Sequence, residues 1–100
     1  YPPYYRLIKI IIKSRDLDTL RIAGNWLFKS ISNGFIYPIY GPFDPHISKI
    51  KNQYIKQILI KYPNTNVRNK IKKHLMRCVE SFESIAKFRI VKLNIDIDPN

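Results

Sequence analysis

The spacing of apolar residues predicts an α+β domain of ferredoxin-like split βαβ form. Its order is strand-helix-strand-strand-helix-strand, and right-handed crossovers place both helices on one face of a four-stranded sheet. Three observations predict this. Two-residue alternation marks residues 6–14, 54–61 and 89–98, while apolar residues recur at helical spacing over 17–31 and 67–82. Residues 40–61, YGPFDPHISKIKNQYIKQILIK, join these two similar halves through a Gly-Pro turn, a lysine-rich approach and a central strand. At 100 residues the chain has room for one small domain with a single core.

Residues 1–5, YPPYY, read as a stiff linker arriving from a preceding domain, because Pro2 and Pro3 lack N–H donors and restrict their neighbours. Residues 6–100 form the domain proper, and the whole reads as a piece of a longer polypeptide. In residues 6–14 the period of two puts Ile8, Ile10 and Ile12 on a core face and Leu7, Lys9, Ile11 and Lys13 on a mixed one. Asp16 or Asp18 caps a helix that carries Leu17, Leu20, Ala23 or Gly24, Leu27 and Ile31, and Ser32-Asn33-Gly34 ends it. Trp26 lies off that stripe, where a tryptophan rests half-buried on a neighbouring element. A second strand is expected over 35–40, with Pro38 confining it to an edge or a bulge.

Residues 41–52 read as a loop, followed by a strand over 54–61 with Ile58 and Ile60 on one side and Gln57, Leu59 and Lys61 on the other. One of Asn64, Thr65 and Asn66 is expected to cap the second helix. That helix buries Val67, Ile71, Leu75, Cys78 or Val79, and Phe82, and turns Arg68, Lys70, Lys72, Lys73 and Arg77 outward. In the last strand Val91, Leu93, Ile95 and Ile97 alternate with Ile90, Lys92, Asn94, Asp96 and Asp98. These placements leave the sheet's other face with Lys9, Lys13, Gln57, Lys61, Lys92 and Asn94 among Leu7, Ile11 and Leu59. Such a face is suited to another domain or a partner.

Lysine and arginine number 18 against seven aspartate and glutamate, a formal charge of +11. So large an excess on so small a body favours polyanionic partners. The single cysteine, Cys78, closes no internal disulfide, which points to a reducing, cytoplasmic setting. The longest apolar run, residues 10–12, is far below spanning length and no secretory leader is visible, so no membrane partner is expected.

No catalytic constellation is present. His46 and His74 have no neighbouring ligand at metal spacing and read as structural or surface residues. Cys78 falls on an apolar stripe, Glu80 and Glu83 read as solvated helix positions, and Asp96-x-Asp98-Pro99 reads as a strand stop. The three glycines, Gly24, Gly34 and Gly41, are too scattered for a phosphate loop. A basic lip is the informative feature: Lys49 and Lys51 precede the strand, Lys56 and Lys61 lie within it, and Tyr54 and Tyr62 frame it. Cations among aromatics suit a phosphate backbone with stacked bases, or an acidic peptide ending in an aromatic residue. The aromatic signature of RNA-recognition sheets is absent, with Ile11 and Gln57 where exposed rings would stand.

Three stretches in register, YPPYYRLIKI, GPFDPHISKIKNQYIKQILIK and VKLNIDIDP, carry a resemblance that covers the whole chain. Together they resemble the C-terminal domain family of primosomal protein N′, the replication-restart helicase PriA, in a Bacteroidetes-like form. The resemblance implies a non-catalytic module of a 3′ to 5′ DNA helicase. Its implied partners are fork and single-stranded DNA, the helicase core of the same chain, and the acidic tail of single-stranded DNA-binding protein. ATP, magnesium and zinc would belong to other domains, and this one would hold no cofactor. In the family's Tyr-x-x-Gln motif, Gln57 matches the glutamine that helps form the tail site. Gln53 stands where the family has arginine, so either Lys49, Lys51 or Lys56 supplies the cation or the tail site has moved. Lys9, Lys13, Lys61, Lys92 and Tyr54 are then the candidate nucleic-acid contacts. Two other readings are a structural brace packed on the helicase core without DNA contact, and an RNA-binding domain of ribosomal type.

Overall fold

A computed structural model of the chain describes residues 5–43, 46–48 and 52–97. Its elements are β1 (Tyr5–Ser14), α1 (Leu17–Ser32), β2 (Ile39–Tyr40), β3 (His46–Ser48), β4 (Gln53–Pro63), α2 (Arg68–Glu83), a 3-10 turn (Ala86–Phe88) and β5 (Lys92–Ile97). The sheet order is β2-β4-β1-β5, antiparallel throughout, and β3 adds to β4 beyond β2. This is the ferredoxin-like order that the sequence predicts, with both helices on one face.

The register shows why the alternation was informative. Ile8, Ile10 and Ile12 stand opposite Ile60, Ile58 and Lys56 on β4, and opposite Ile97, Ile95 and Leu93 on β5. All three isoleucines are buried with Ile58 and Ile60 beneath Leu20, Ala23, Leu27 and Ile31 of α1 and Ile71, Leu75, Cys78 and Phe82 of α2. Burial of each such side chain is worth about 1.5–3 kcal/mol. Of the alternatives at the second helix, Cys78 is the buried one and Val79 is partly exposed. Trp26 packs half-buried against Phe82 and Phe88, with ring centroids 5.9 and 6.0 Å away.

Several local expectations need correction. The predicted strand over 35–40 shrinks to Ile39–Tyr40 at the sheet edge. Pro38 has no N–H to pair, and the Phe35 N–H is already engaged by the Ser32 carbonyl that closes α1. The expected loop at 41–52 contains β3, a short hairpin arm in which Ile47 faces Tyr54. Asn52, with φ 53°, supplies the left-handed residue on the return side of that hairpin. β4 is longer than expected, from Gln53 to Pro63.

The helix caps also differ. Asp16 occupies the first cap position, yet its carboxylate takes the Thr19 hydroxyl and no backbone N–H. Val67 holds that position before α2, and Asn64 instead accepts a 2.7 Å bond from Arg6 Nε across the sheet end. β5 begins at Lys92, because residues 86–88 coil into the 3-10 turn that drives Phe88 into the core.

Candidate functional site

The face of the sheet away from the helices is built from odd-numbered residues of β1 and β4 and even-numbered residues of β5. Antiparallel pairing aligns them in cross-strand rows. Lys13 stands between Ile55 and Lys92, Ile11 between Gln57 and Asn94, and Lys9 between Leu59 and Asp96. Leu7 pairs with Lys61, and Tyr40 on β2 extends the Leu59 row. The result is a diagonal of apolar side chains, Leu7, Ile11, Ile55 and Leu59, flanked by Lys9, Lys13, Lys61 and Lys92.

Electrostatically this surface is mainly positive, with Asp96 beside Lys9 as the one carboxylate that the described residues of β1, β4 and β5 place on it. Lys13 and Lys92 are direct cross-strand neighbours, an arrangement of like charges that costs stability without an anion nearby. At the other end of the face, Lys61 Nζ lies 4.5 Å from the centroid of the Tyr5 ring, a cation–π contact on an exposed tyrosine. Leu7 is 43% exposed and Tyr40 46%, while Ile11, Ile55 and Leu59 are half-buried, so part of the apolar surface remains available for burial. Together they can hold an anionic partner that also offers apolar surface.

The predicted site residues separate into three groups. Lys9, Lys13, Lys61, Lys92, Gln53 and Gln57 share this open face. Lys56 and Tyr54 do not: strand parity turns both toward the helices. Lys56 is only 8% exposed, and its chain runs beside Gly24, where an added Cβ would come within 3.1 Å of Lys56 Cδ. Tyr54 packs against the core, and Tyr62, expected to frame a basic lip, is a buried core residue. Lys49 and Lys51 lie outside the described residues. Gln57 is anchored through its backbone, its carbonyl accepting the Phe43 N–H at 3.0 Å.

Sequence reading missed Ile55, Tyr5 and Tyr40 on this face. The first was findable, since it has the parity of Gln57. Tyr5 was hidden by assignment to a linker, and Tyr40 because the strand expected over 35–40 was given no facing, Pro38 breaking its period. Among the described residues, no three His, Cys, Asp or Glu side chains come together as a metal site requires. No helix is long and apolar enough to cross a membrane.

Comparison with known proteins decides the affiliation. The family model of the primosomal protein N C-terminal domain matches residues 1–100. The chain belongs to that family. None of the curated proteins matches it in sequence. Among solved structures, the de novo designed protein Foldit4 is similar in fold, with a TM-score of 0.59 at 6% identity over 96% of this chain and 98% of that one. A hydantoinase/carbamoylase family amidase from Burkholderia ambifaria gives 0.57 at 8% identity, over 93% of this chain and 27% of the other. At such identities these two likenesses speak to the fold alone. The primosomal family agrees with the resemblance carried by the sequence and places the domain in DNA replication.

Proposed function

We propose that this primosomal C-terminal domain is a binding module of a replication-restart 3′ to 5′ helicase that holds fork or single-stranded DNA on its open sheet face. Lys9, Lys13, Lys61 and Lys92 bind phosphates, and the apolar diagonal between them receives base or sugar surface. Gln57 and Gln53, on the same face, form the edge that receives the acidic tail of single-stranded DNA-binding protein, with Lys49 and Lys51 supplying charge. The reactive machinery, with ATP, magnesium and zinc, belongs to other domains of the parent protein.

The observation that carries this reading is the gathering of four lysines from three strands on the sheet face away from the helices, including the cross-strand Lys13–Lys92 pair. Lys9→Glu, Lys13→Glu, Lys61→Glu and Lys92→Glu in one chain are expected to weaken oligo-dT binding at least ten-fold. The dependence of log K on log salt should flatten by about 0.7 for each phosphate that no longer meets a lysine. Titrating labelled oligo-dT at several salt concentrations checks this, and an unchanged slope rejects it.

Leu7, Ile11, Ile55 and Leu59 favour a second reading, a brace whose apolar diagonal is covered by the helicase core. In that case the chain binds no oligonucleotide and self-associates, which sedimentation of the unmodified chain would reveal.

A further inference from the structure

The helix layer, on the far side of the sheet from those lysines, carries a groove of about 420 Å³. Phe35, Ile36 and Tyr37 line it from the segment after α1, and Lys70, Lys73 and Arg77 line it from α2. Gly34, with φ 72°, turns the chain out of α1 into this position.

Its lining is held in place by a single histidine. His74 Nε2 lies 2.8 Å from the Ile31 carbonyl oxygen, and since a carbonyl only accepts, that nitrogen carries the proton and donates. The imidazole then stacks on Phe35, with ring centroids 5.2 Å apart and planes 18° from parallel. Phe35 meets Tyr37 edge to face at 5.4 Å. Beside this braced aromatic pair, Ile36 is 85% exposed.

Positions 70, 73 and 77 form one helical stripe, rising about 4.5 and 6 Å between successive members. All three cations are exposed, and among the described residues no acidic one lines the groove. A serial row of cations beside an aromatic and aliphatic wall matches a ligand with repeated negative charge and flat apolar faces.

We propose that this groove is a second single-stranded nucleic-acid site, separate from the sheet face. Phosphates lie along Lys70, Lys73 and Arg77, and a base packs against Phe35, Ile36 and Tyr37. The proposal rests on the reading above only in taking nucleic acid as the ligand class. An added peptide strand fits less well: the Phe35 N–H and Pro38 carbonyl are engaged, and Pro38 has no N–H to give. Sites on opposite layers let one copy of the chain hold two strands at once.

The test uses short oligo-dT in donor-labelled and acceptor-labelled forms, with stoichiometry measured by titration calorimetry. The unmodified chain is expected to bind two oligonucleotides and to bring donor and acceptor together. A variant carrying Lys70→Gln, Lys73→Gln and Arg77→Gln should bind one, show no energy transfer, and reduce the overall salt slope by about 2. Ile36→Asp, at an exposed position that leaves the cations in place, should weaken the same site. An unmodified chain that binds one oligonucleotide, with groove variants that change nothing, overturns the proposal. So does a groove triple variant that no longer binds an acidic aromatic-ended peptide while keeping both oligonucleotides. If the sheet-face glutamates change nothing while the groove triple variant abolishes binding, the groove site stands and the sheet-face reading falls.

Discussion

Phe82→Ala is expected to lower the unfolding free energy by about 3–5 kcal/mol, a large part of the roughly 5–15 kcal/mol that a domain of this size possesses. Phe82 is 2% exposed and sits at the junction of three elements. Its ring stacks on Phe88 of the 3-10 turn at 4.9 Å and meets Trp26 of α1 at 5.9 Å. Truncation therefore removes a buried ring and leaves two aromatic neighbours facing a void that the rigid sheet beneath cannot fill. Urea unfolding gives the change in midpoint, and Trp26, the chain's only tryptophan, reports the same site by fluorescence. Phe82→Leu, which keeps most of the volume, should cost less than half as much. An alanine variant within about 1 kcal/mol of the unmodified chain would show that this cluster does not bind the helices together.

Gly41→Ala is the second large effect, and its origin is in the backbone. Gly41 has φ 112°, a conformation that side chains resist at a cost of about 1–3 kcal/mol. A Cβ there would also lie 2.9 Å from the Gln57 carbonyl oxygen and 3.1 Å from the Phe43 nitrogen, the two atoms that bond to each other. Neither is the end of a flexible side chain, so the loop must leave β4. The expected result is a destabilisation of more than about 3 kcal/mol. Rapid hydrogen exchange should accompany it at the Phe43 and Lys61 amides, which anchor this edge. Gly34→Ala is the control: φ is 72°, yet nothing lies within 4 Å of the added atom, so only a backbone cost of about 1–2 kcal/mol is expected. Equal destabilisation at the two glycines would show that the approach to Gln57 carries no weight.

Much of the framework was legible because burial on one side imposes a strict period. Ile8, Ile10 and Ile12 could not share a face with Lys9 in any strand, and Leu20, Leu27 and Ile31 could not be separated in any helix. Errors gathered where no period exists. His46–Ser48 is too short to show alternation, so its pairing with β4 was invisible. The strand expected from Arg89 starts only at Lys92, after the 3-10 turn at Ala86–Phe88, and the pull of Phe88 into the aromatic cluster explains the late start. Lys56 misled in another way. A lysine is taken for a surface residue by type, whereas parity within β4 had already assigned it to the side of Ile58 and Ile60.

The groove on the helix layer shows the same division. A basic outer face on α2 was evident from Lys70, Lys73 and Arg77, and FIYP after Gly34 was evident as an aromatic run. Nothing in the order of residues says that the two meet. The His74 bond to the Ile31 carbonyl, 43 residues away in the chain, brings them together.

By itself the sequence determined most of the buried apolar faces, the strand-helix order, the excess of positive charge and the family to which the chain belongs. Those properties are sums or periods along the chain, and each residue adds to them through its own chemistry. Only the tertiary structure decided that Lys13 stands directly beside Lys92, that His46–Ser48 pairs with β4, and that a second cationic surface meets an aromatic wall. Such neighbourhoods depend on strand register and on where a helix end docks. Both are fixed by packing between distant segments, and local spacing along the chain does not encode them.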